Sequence, residues 1–419
     1  LYKPSKDMLP EYKKRLTYEL GILRTMGFEN YFLLVEKIVR WSKDSKIVMG
    51  CARGSAAGSL IAFLLNITDV DPIRFGLIFE RFINPDRLDL PDVDMDFMSV
   101  RRHEVIEHLV EEYGADYVAG ISNYGTLGLA SSIRDTARVH NLSPFDYACT
   151  KYIPKEASSL DEASELVPEI DSFKKTYPDI WNFAGKIEGS VKSMGRHAAG
   201  VIIAGDKISE RAVVEQRKDG NTTNWDKRTV EDQGLIKMDI LGLSTLDVLD
   251  IARDKIYKRK GVKVDYESID LEDKKILEAF GRGDTIGVFQ FFSSGMQHLL
   301  KELATLEPLT FSEVSAATAL YRPGPMESGM MDDYIAIKKG EMEVSYDHPN
   351  MKSALEDTFG IMIYQESVMQ LSRDVAGYSM AEADNLRKIM SKKDPEAMAL
   401  QRDKFVKGAT SGYINIELE

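Results

Sequence analysis

The sequence predicts an α/β chain, mixed α+β in arrangement, with room for two to four domains. Three observations predict it. Short strand-like runs at Lys46–Gly50, Pro91–Phe97, Val201–Ala204 and Leu235–Ile240 are separated by long stretches of helical periodicity. At 419 residues and 43% hydrophobic content, the chain has material for several buried cores. It carries no internal repeat and no low-complexity segment.

Residues 1–45 read as helical, with apolar faces from Leu16, Tyr18, Leu20, Ile22 and Leu23 and then from Tyr31 to Val39. Lys46–Gly50 reads as a short buried strand. It runs into Arg53-Gly54-Ser55-Ala56-Ala57-Gly58-Ser59 and an apolar helix from Leu60 to Leu65. Strand, small-residue turn and helix would aim backbone N–H groups at a phosphate. Gly54 permits a close backbone approach and Ser55 offers a hydroxyl. The turn has neither the lysine and spacing of a Walker A loop nor Gly-x-Gly-x-x-Gly, which argues against a dinucleotide fold. Its bland alternative is tight helix–strand packing.

Pro91-Asp92-Val93-Asp94-Met95-Asp96-Phe97 is the most informative run. As a strand it places three carboxylates on one face and Val93, Met95 and Phe97 on the other. Same-face neighbours lie roughly 6.6 Å apart, near enough to reach inward to two cations about 3.5–4 Å apart, as in-line phosphoryl transfer requires. The residues alone leave open whether 92/94 or 94/96 is the working pair, and a solvated turn is the competing reading. Pro91 suits a strand start, and helical periodicity follows from His103 to Val110. Residues 126–194 read as polar helices broken at Pro154, Pro168 and Pro178. In the later apolar run, Lys237 and Asp239 would share a face, and a buried aspartate there needs a partner. From 245 onward helical signals dominate.

The formal net charge of −13 argues against a simple nucleic-acid binder, although localised basic runs remain at Lys255–Lys260 and Arg387–Lys393. Cys51 and Cys149 make no disulfide framework, so a reducing compartment is expected. No apolar run approaches the roughly 20 residues of a membrane span, and no signal peptide is visible. A start at Leu1 leads to the expectation of a fragment or processed product.

These runs form a set with Ile67-Thr68-Asp69-Val70-Asp71-Pro72, Phe79-Glu80-Arg81-Phe82-Ile83-Asn84-Pro85, Gly195-Arg196-His197-Ala198-Ala199-Gly200-Val201 and Lys237-Met238-Asp239-Ile240-Leu241-Gly242-Leu243. Val288-Phe289-Gln290, Tyr321-Arg322-Pro323-Gly324-Pro325 and Tyr364-Gln365-Glu366 follow in order. In this the chain closely resembles the C-family replicative DNA polymerases, the bacterial DNA polymerase III alpha subunits, over essentially its whole length. The resemblance implies a polymerase-beta-like nucleotidyltransferase palm (1–125 and 195–244), a helical thumb (126–194) and truncated helical fingers (245–419). It implies a catalytic, metal-binding triad on Asp94, Asp96 and Asp239, with Asp92 beside it and not carried over. Two Mg²⁺ ions are expected, with Mn²⁺ as substitute. Gly54 and Ser55 match the pair that holds the incoming triphosphate. Arg53, Arg81 and Lys237 match basic residues near phosphates, and Arg322, Arg387 and Lys388 fall in the fingers.

The implied activity is template-directed transfer of dNTPs to a primer 3′-hydroxyl, by a cytoplasmic, nucleoid-associated enzyme with no membrane partner. Primer–template DNA and dNTPs are the expected partners. In the family a sliding clamp, a proofreading exonuclease and clamp-loader subunits join them. The six histidines include no His-x-His pair, so the family's N-terminal PHP domain is expected to be absent, and His197 reads as structural or substrate-neighbouring. The later fingers, the clamp-binding region and the C-terminal DNA-binding domains are expected to be absent too. Two alternatives stand beside this reading: an incomplete polymerase needing a downstream segment, and a metal-dependent phosphodiesterase. One local departure is Gly50-Cys51-Ala52-Arg53, where relatives usually have Gly-Pro-Gly-Arg, and a looser turn is expected there.

Overall fold

Six strands form among the described residues: β1 Asp94–Met98, β2 Val118–Thr126, β3 Val191–Ile203, β4 Val214–Arg217, β5 Gly220–Thr223 and β6 Ile236–Leu243. The computed structural model describes residues 4–87, 90–155, 157–392 and 395–410. The chain divides into two compact units, one of residues 1–102 with 241–419 and one of residues 103–240.

In the second unit the strand order is β6-β3-β2-β5-β4. Pairing of β3 with β2 and β6 is antiparallel, as is β4 with β5, while β2 and β5 run parallel at Gly120 and Thr222. Strand β3 is longer than the sequence suggests, and β2 forms where no strand is expected. The first residues of β3, Val191–Gly195, are exposed, and Val118–Ser122 are buried without interruption, so neither shows a two-residue alternation. Gly120 is required by its neighbour: a Cβ there would lie 2.2 Å from Arg196 Nε. The Arg196 guanidinium crosses this glycine to reach Asp219 at 2.8 Å.

Helices Leu129–Val139, Leu160–Leu166, Pro168–Thr176 and Pro178–Ile187 close a core of Ile133, Ile170, Phe173, Ile180 and Trp181. Pro168 and Pro178 stand at helix starts, where a missing N–H costs nothing, so they initiate helices as well as separate them.

In the first unit, helices Leu9–Met26 and Glu29–Asp44 are split by Gly27 in the left-handed region (φ 71°). Lys46–Gly50 is not a full strand. It makes one bridge, Met49 to Phe97, with Gly50 N–H donating to Asp96 O and Met98 N–H to Val48 O, both at 2.9 Å. Lys46 turns the chain at φ 58°, and Asp69 N–H donating to Cys51 O (2.6 Å) turns it away again, leaving too few residues alongside β1. That second bond also pins the turn expected to be loose.

Helix Ser244–Lys260 packs on β1 and ends in the exposed Lys258, Arg259 and Lys260, a basic terminus that suits the helix dipole. Beyond it, one helical core gathers Leu299, Leu300, Leu303, Leu320 and Tyr334, and a second gathers Ile78, Met369, Tyr378, Ala383 and Leu386. The second core ties the segment near residue 80 to the helices Gln365–Ala376 and Met380–Lys392. Among the described residues no helix is long and apolar enough to cross a membrane.

Candidate functional site

The strand β1 alternates as its sequence requires. Val93, Met95 and Phe97 are buried, Asp92 is exposed, and Asp94 and Asp96 are half-buried. Val93 N–H donates to the Tyr31 hydroxyl at 3.0 Å, which fixes the approach to the strand and with it Asp92. Asp92 and Asp94 each offer a carboxylate oxygen, and the two lie within 4.8 Å of one another. Asp96 is used differently: its Oδ1 accepts from Arg53 Nη1 at 2.9 Å, while Arg53 Nε lies 3.9 Å from Asp94 Oδ2. Arg53 therefore offsets the charge of the strand's inner carboxylates. An all-oxygen pair such as Asp92 and Asp94 suits a hard divalent cation.

Gly54 adopts φ 63°, and a Cβ there would lie 3.7 Å from Asp94 Oδ2, so the turn runs against the carboxylate face. The turn itself differs from the expected helix N-terminus. Gly54–Gly58 is a 3₁₀ helix, and the α-helix that follows, Leu60–Leu64, is already occupied at its start. The carboxylate of Glu19, fully buried, accepts from Leu60 N–H (3.0 Å), Ile61 N–H (3.1 Å) and Ser59 Oγ (2.9 Å). Arg15 Nε donates to it at 2.6 Å and Arg15 Nη2 reaches Gly58 O at 2.7 Å. The helix N-terminus is thus satisfied from inside, and any phosphate must meet the Gly54–Ser55 turn instead. In the same turn burial pushes the Cys51 thiol up, and the Asp69 and Asp96 carboxylates add to this.

A polar cavity of about 330 Å³ opens beside this face. Its lining includes Gly54, Ser55, Asp92 and Asp94 together with the basic Arg81, Arg87, Arg387 and Lys388. The arginines are held by carboxylates and an amide. Arg81 donates from Nη1 to Glu366 (2.8 Å) and from Nε to Gln365 Oε1 (3.1 Å). Arg387 donates from Nη1 to the same Gln365 oxygen at 3.1 Å and from Nη2 to Asp384 at 2.6 Å. The basic run Arg387–Lys392 is therefore not a plain surface stripe, since Arg387 turns inward to the cavity; Lys393 lies outside the described residues.

In the second unit, Lys237 and Asp239 share a face of β6 as expected, and Lys237 Nζ donates to Asp239 Oδ2. Asp239 Oδ1 is buried and accepts no hydrogen bond among the described residues. A buried carboxylate oxygen left so is costly unless a cation meets it. His197 Nδ1 accepts from Gly200 N–H at 2.9 Å, in the stretch of β3 where its register with β2 shifts.

Of the expected residues, Gly54, Ser55, Arg81, Asp94, Arg387 and Lys388 line one cavity; Arg322 does not. It is exposed at the start of helix Pro323–Glu327 and donates to Thr318 O at 3.2 Å. Sequence reasoning missed Glu19, Arg87, Gln365 and Asp384. Glu19 had a signal, because it falls on the same helix stripe as buried Tyr12 and Leu23.

Two family profiles cover the chain. The one described as "Bacterial DNA polymerase III alpha NTPase domain" matches residues 2–242, and "Bacterial DNA polymerase III alpha subunit finger domain" matches residues 245–412. Among curated proteins, the DNA polymerase III subunit alpha of Yersinia pestis is 46% identical over 422 residues, covering 100% of this chain and 36% of that protein. The subunit of Escherichia coli K12 is 42% identical, covering 98% and 36%, and that of Bacillus subtilis 40% identical, covering 97% and 36%. The chain thus spans about a third of the length of these relatives.

Proposed function

From the premise that the chain belongs to the bacterial DNA polymerase III alpha-subunit family, we propose that it carries the nucleotidyl-transfer centre of a DNA-directed DNA polymerase. The observation that carries this is one cavity shared by a small-residue turn, four basic side chains and the carboxylates Asp92 and Asp94.

The residues fit a divalent cation: Asp92, just before β1, and Asp94, its first residue, offer an oxygen donor pair. Of the expected triad, Asp94 would hold it; in the other unit, Asp239 keeps a buried oxygen with no hydrogen bond among the described residues. The approach of an Asp92 oxygen to one of Asp94, and the Arg53 bond to Asp96, support Asp92 as the partner of Asp94 in that pair. When bound, Mg²⁺, with Mn²⁺ as substitute, supplies charge stabilisation to the attacking and leaving oxygens of an in-line displacement. Arg81, Arg387 and Lys388 would bind the triphosphate, and Gly54 would let the backbone approach it. Ser55 would donate its hydroxyl. Lys237 holds Asp239 in place. Such preorganised charge is what lowers the barrier to phosphoryl transfer. Base-pair geometry would choose the nucleotide, while DNA is held through its backbone.

In this reading residues 1–125 and 195–244 form the palm, 126–194 the thumb and 245–419 the fingers. Primer–template DNA and dNTPs are the substrates; clamp, exonuclease and clamp-loader subunits, and a cytoplasmic, nucleoid-associated setting, follow from the family. The test is primer extension by the protein at its natural length. Extension that needs a divalent cation and the dNTP complementary to the template supports the reading. DNA cleavage without synthesis would replace it with the phosphodiesterase alternative.

A further inference from the structure

Asp384 sits in helix Met380–Lys392 and is only 1% exposed, yet it is ionisable. A buried carboxylate is tolerated when its lone pairs are filled by positive donors. Those of Asp384 are filled from two segments that line the cavity, 84–87 and its own helix. Its Oδ1 accepts Nε and Nη2 of Arg387 at 3.0 and 2.6 Å, a two-bond fork on one oxygen. Its Oδ2 accepts Arg87 Nη1 at 3.3 Å and Asn84 Nδ2 at 3.2 Å. Asn84 also donates to Ala381 O at 3.1 Å, so the segment 84–87 is stitched to a helix some 300 positions away in sequence.

The network continues outward. The remaining arm of Arg387 donates to Gln365 Oε1, which also accepts from Arg81, whose other arm is held by Glu366. Three guanidiniums that line one cavity are thereby fixed relative to each other, and Asp384 is a buried carboxylate among their partners. Like charges so placed would repel, and long side chains would sample many rotamers, without it.

We infer that Asp384 is a positioning residue: without touching the ligand, it presets Arg387 and Arg87 to receive the polyphosphate of the incoming nucleotide. This rests on the polymerase reading for the identity of that ligand. A preset fork saves the ordering cost of binding, so losing it should appear in affinity first. Asp384→Asn keeps the shape and removes the charge. It should raise the KM for dNTP about tenfold or more, the scale of a lost charged hydrogen bond, with a smaller change in kcat.

The decisive experiment is a cycle of Asp384→Asn, Arg387→Ala and the double variant. It measures KM for dNTP, together with calorimetric binding of inorganic tripolyphosphate to the DNA-free protein. If Asp384 acts through Arg387 and Arg87, adding Asp384→Asn to Arg387→Ala weakens binding by a smaller factor than Asp384→Asn does in the parent. If the effects multiply, or if Asp384→Asn leaves both KM and tripolyphosphate binding unchanged, the inference is overturned. Should Asp384→Asn melt below the assay temperature, Arg387→Lys carries the test, because it keeps the charge and loses the fork. A comparable rise in KM supports the inference and a wild-type KM sinks it. Tripolyphosphate binding that depends on Asp384 in a protein that fails to extend primers would refute the polymerase reading and leave this one standing.

Discussion

Removing the carboxylate of Glu19 should unfasten the turn that carries Gly54 and Ser55. Glu19 is fully buried, and its two oxygens accept from Arg15, Ser59, Leu60 and Ile61 at 2.6 to 3.1 Å. Glu19→Ala leaves two helix-start N–H groups without a partner and Arg15 without its counter-ion. Breaking a buried pair costs about 3–5 kcal/mol. The stranded N–H groups would each cost roughly 1–3 kcal/mol in isolation, but local fraying lets water reach them, so the total stays near about 4 kcal/mol. Glu19→Gln keeps one acceptor oxygen and should cost about half as much. Urea unfolding measures the loss, and amide hydrogen exchange over residues 54–64 localises it. The KM for dNTP should rise in parallel, because the turn is the part that loosens. A Glu19→Ala protein within about 1 kcal/mol of the parent would refute the reasoning, since that is the value of an exposed ion pair.

Three further outcomes are expected. Asp92→Asn should abolish nucleotide incorporation at any Mg²⁺ concentration; Asp96→Asn should leave it measurable while lowering stability by releasing Arg53. The reverse order in single-turnover rates would return the metal to the 94/96 pair. Gly58→Ala should destabilise by about 1–3 kcal/mol, because its Cβ would lie 2.6 Å from the Ile78 carbonyl oxygen; an unchanged melting temperature contradicts that. Glu382 is held below the ordinary glutamate value of 4.5, first by its bond to Lys404 and then by Ser379 N–H. A lowered carboxylate stabilises above its unfolded value and loses that contribution as pH falls through the folded one. Glu382→Gln should therefore flatten the decline of stability below about pH 4.5, by a modest amount because the pair is half exposed, and an unaltered acid slope contradicts it.

Much of the site was legible because local periodicity carries it. Alternation put the aspartates on one face of β1 and Lys237 beside Asp239, and small residues marked the Gly54–Ser55 turn. Which two aspartates converge was not legible, since the choice depends on Arg53, a residue 43 positions from Asp96. Glu19 and Asp384 hid for the same reason: a charged residue in a charged-looking helix gives no sign that its partners lie 40 or 300 positions away. Strand β2 escaped because its first five residues are buried without alternation, and β4 and β5 because four-residue strands are too short to show a period. Lys46–Gly50 carried a strand's composition, but turns on either side cut its pairing to one bridge.

Asp94 lies in every version of the carboxylate set and faces the same cavity as the basic wall. The most direct measurement is the single-nucleotide incorporation rate of Asp94→Asn against the parent, in the protein at its natural length with saturating primer–template and Mg²⁺. The account predicts a loss of about 10²-fold or more with DNA affinity retained. A rate within a few-fold of the parent would contradict it, and the chemistry would have to be sought elsewhere in the protein.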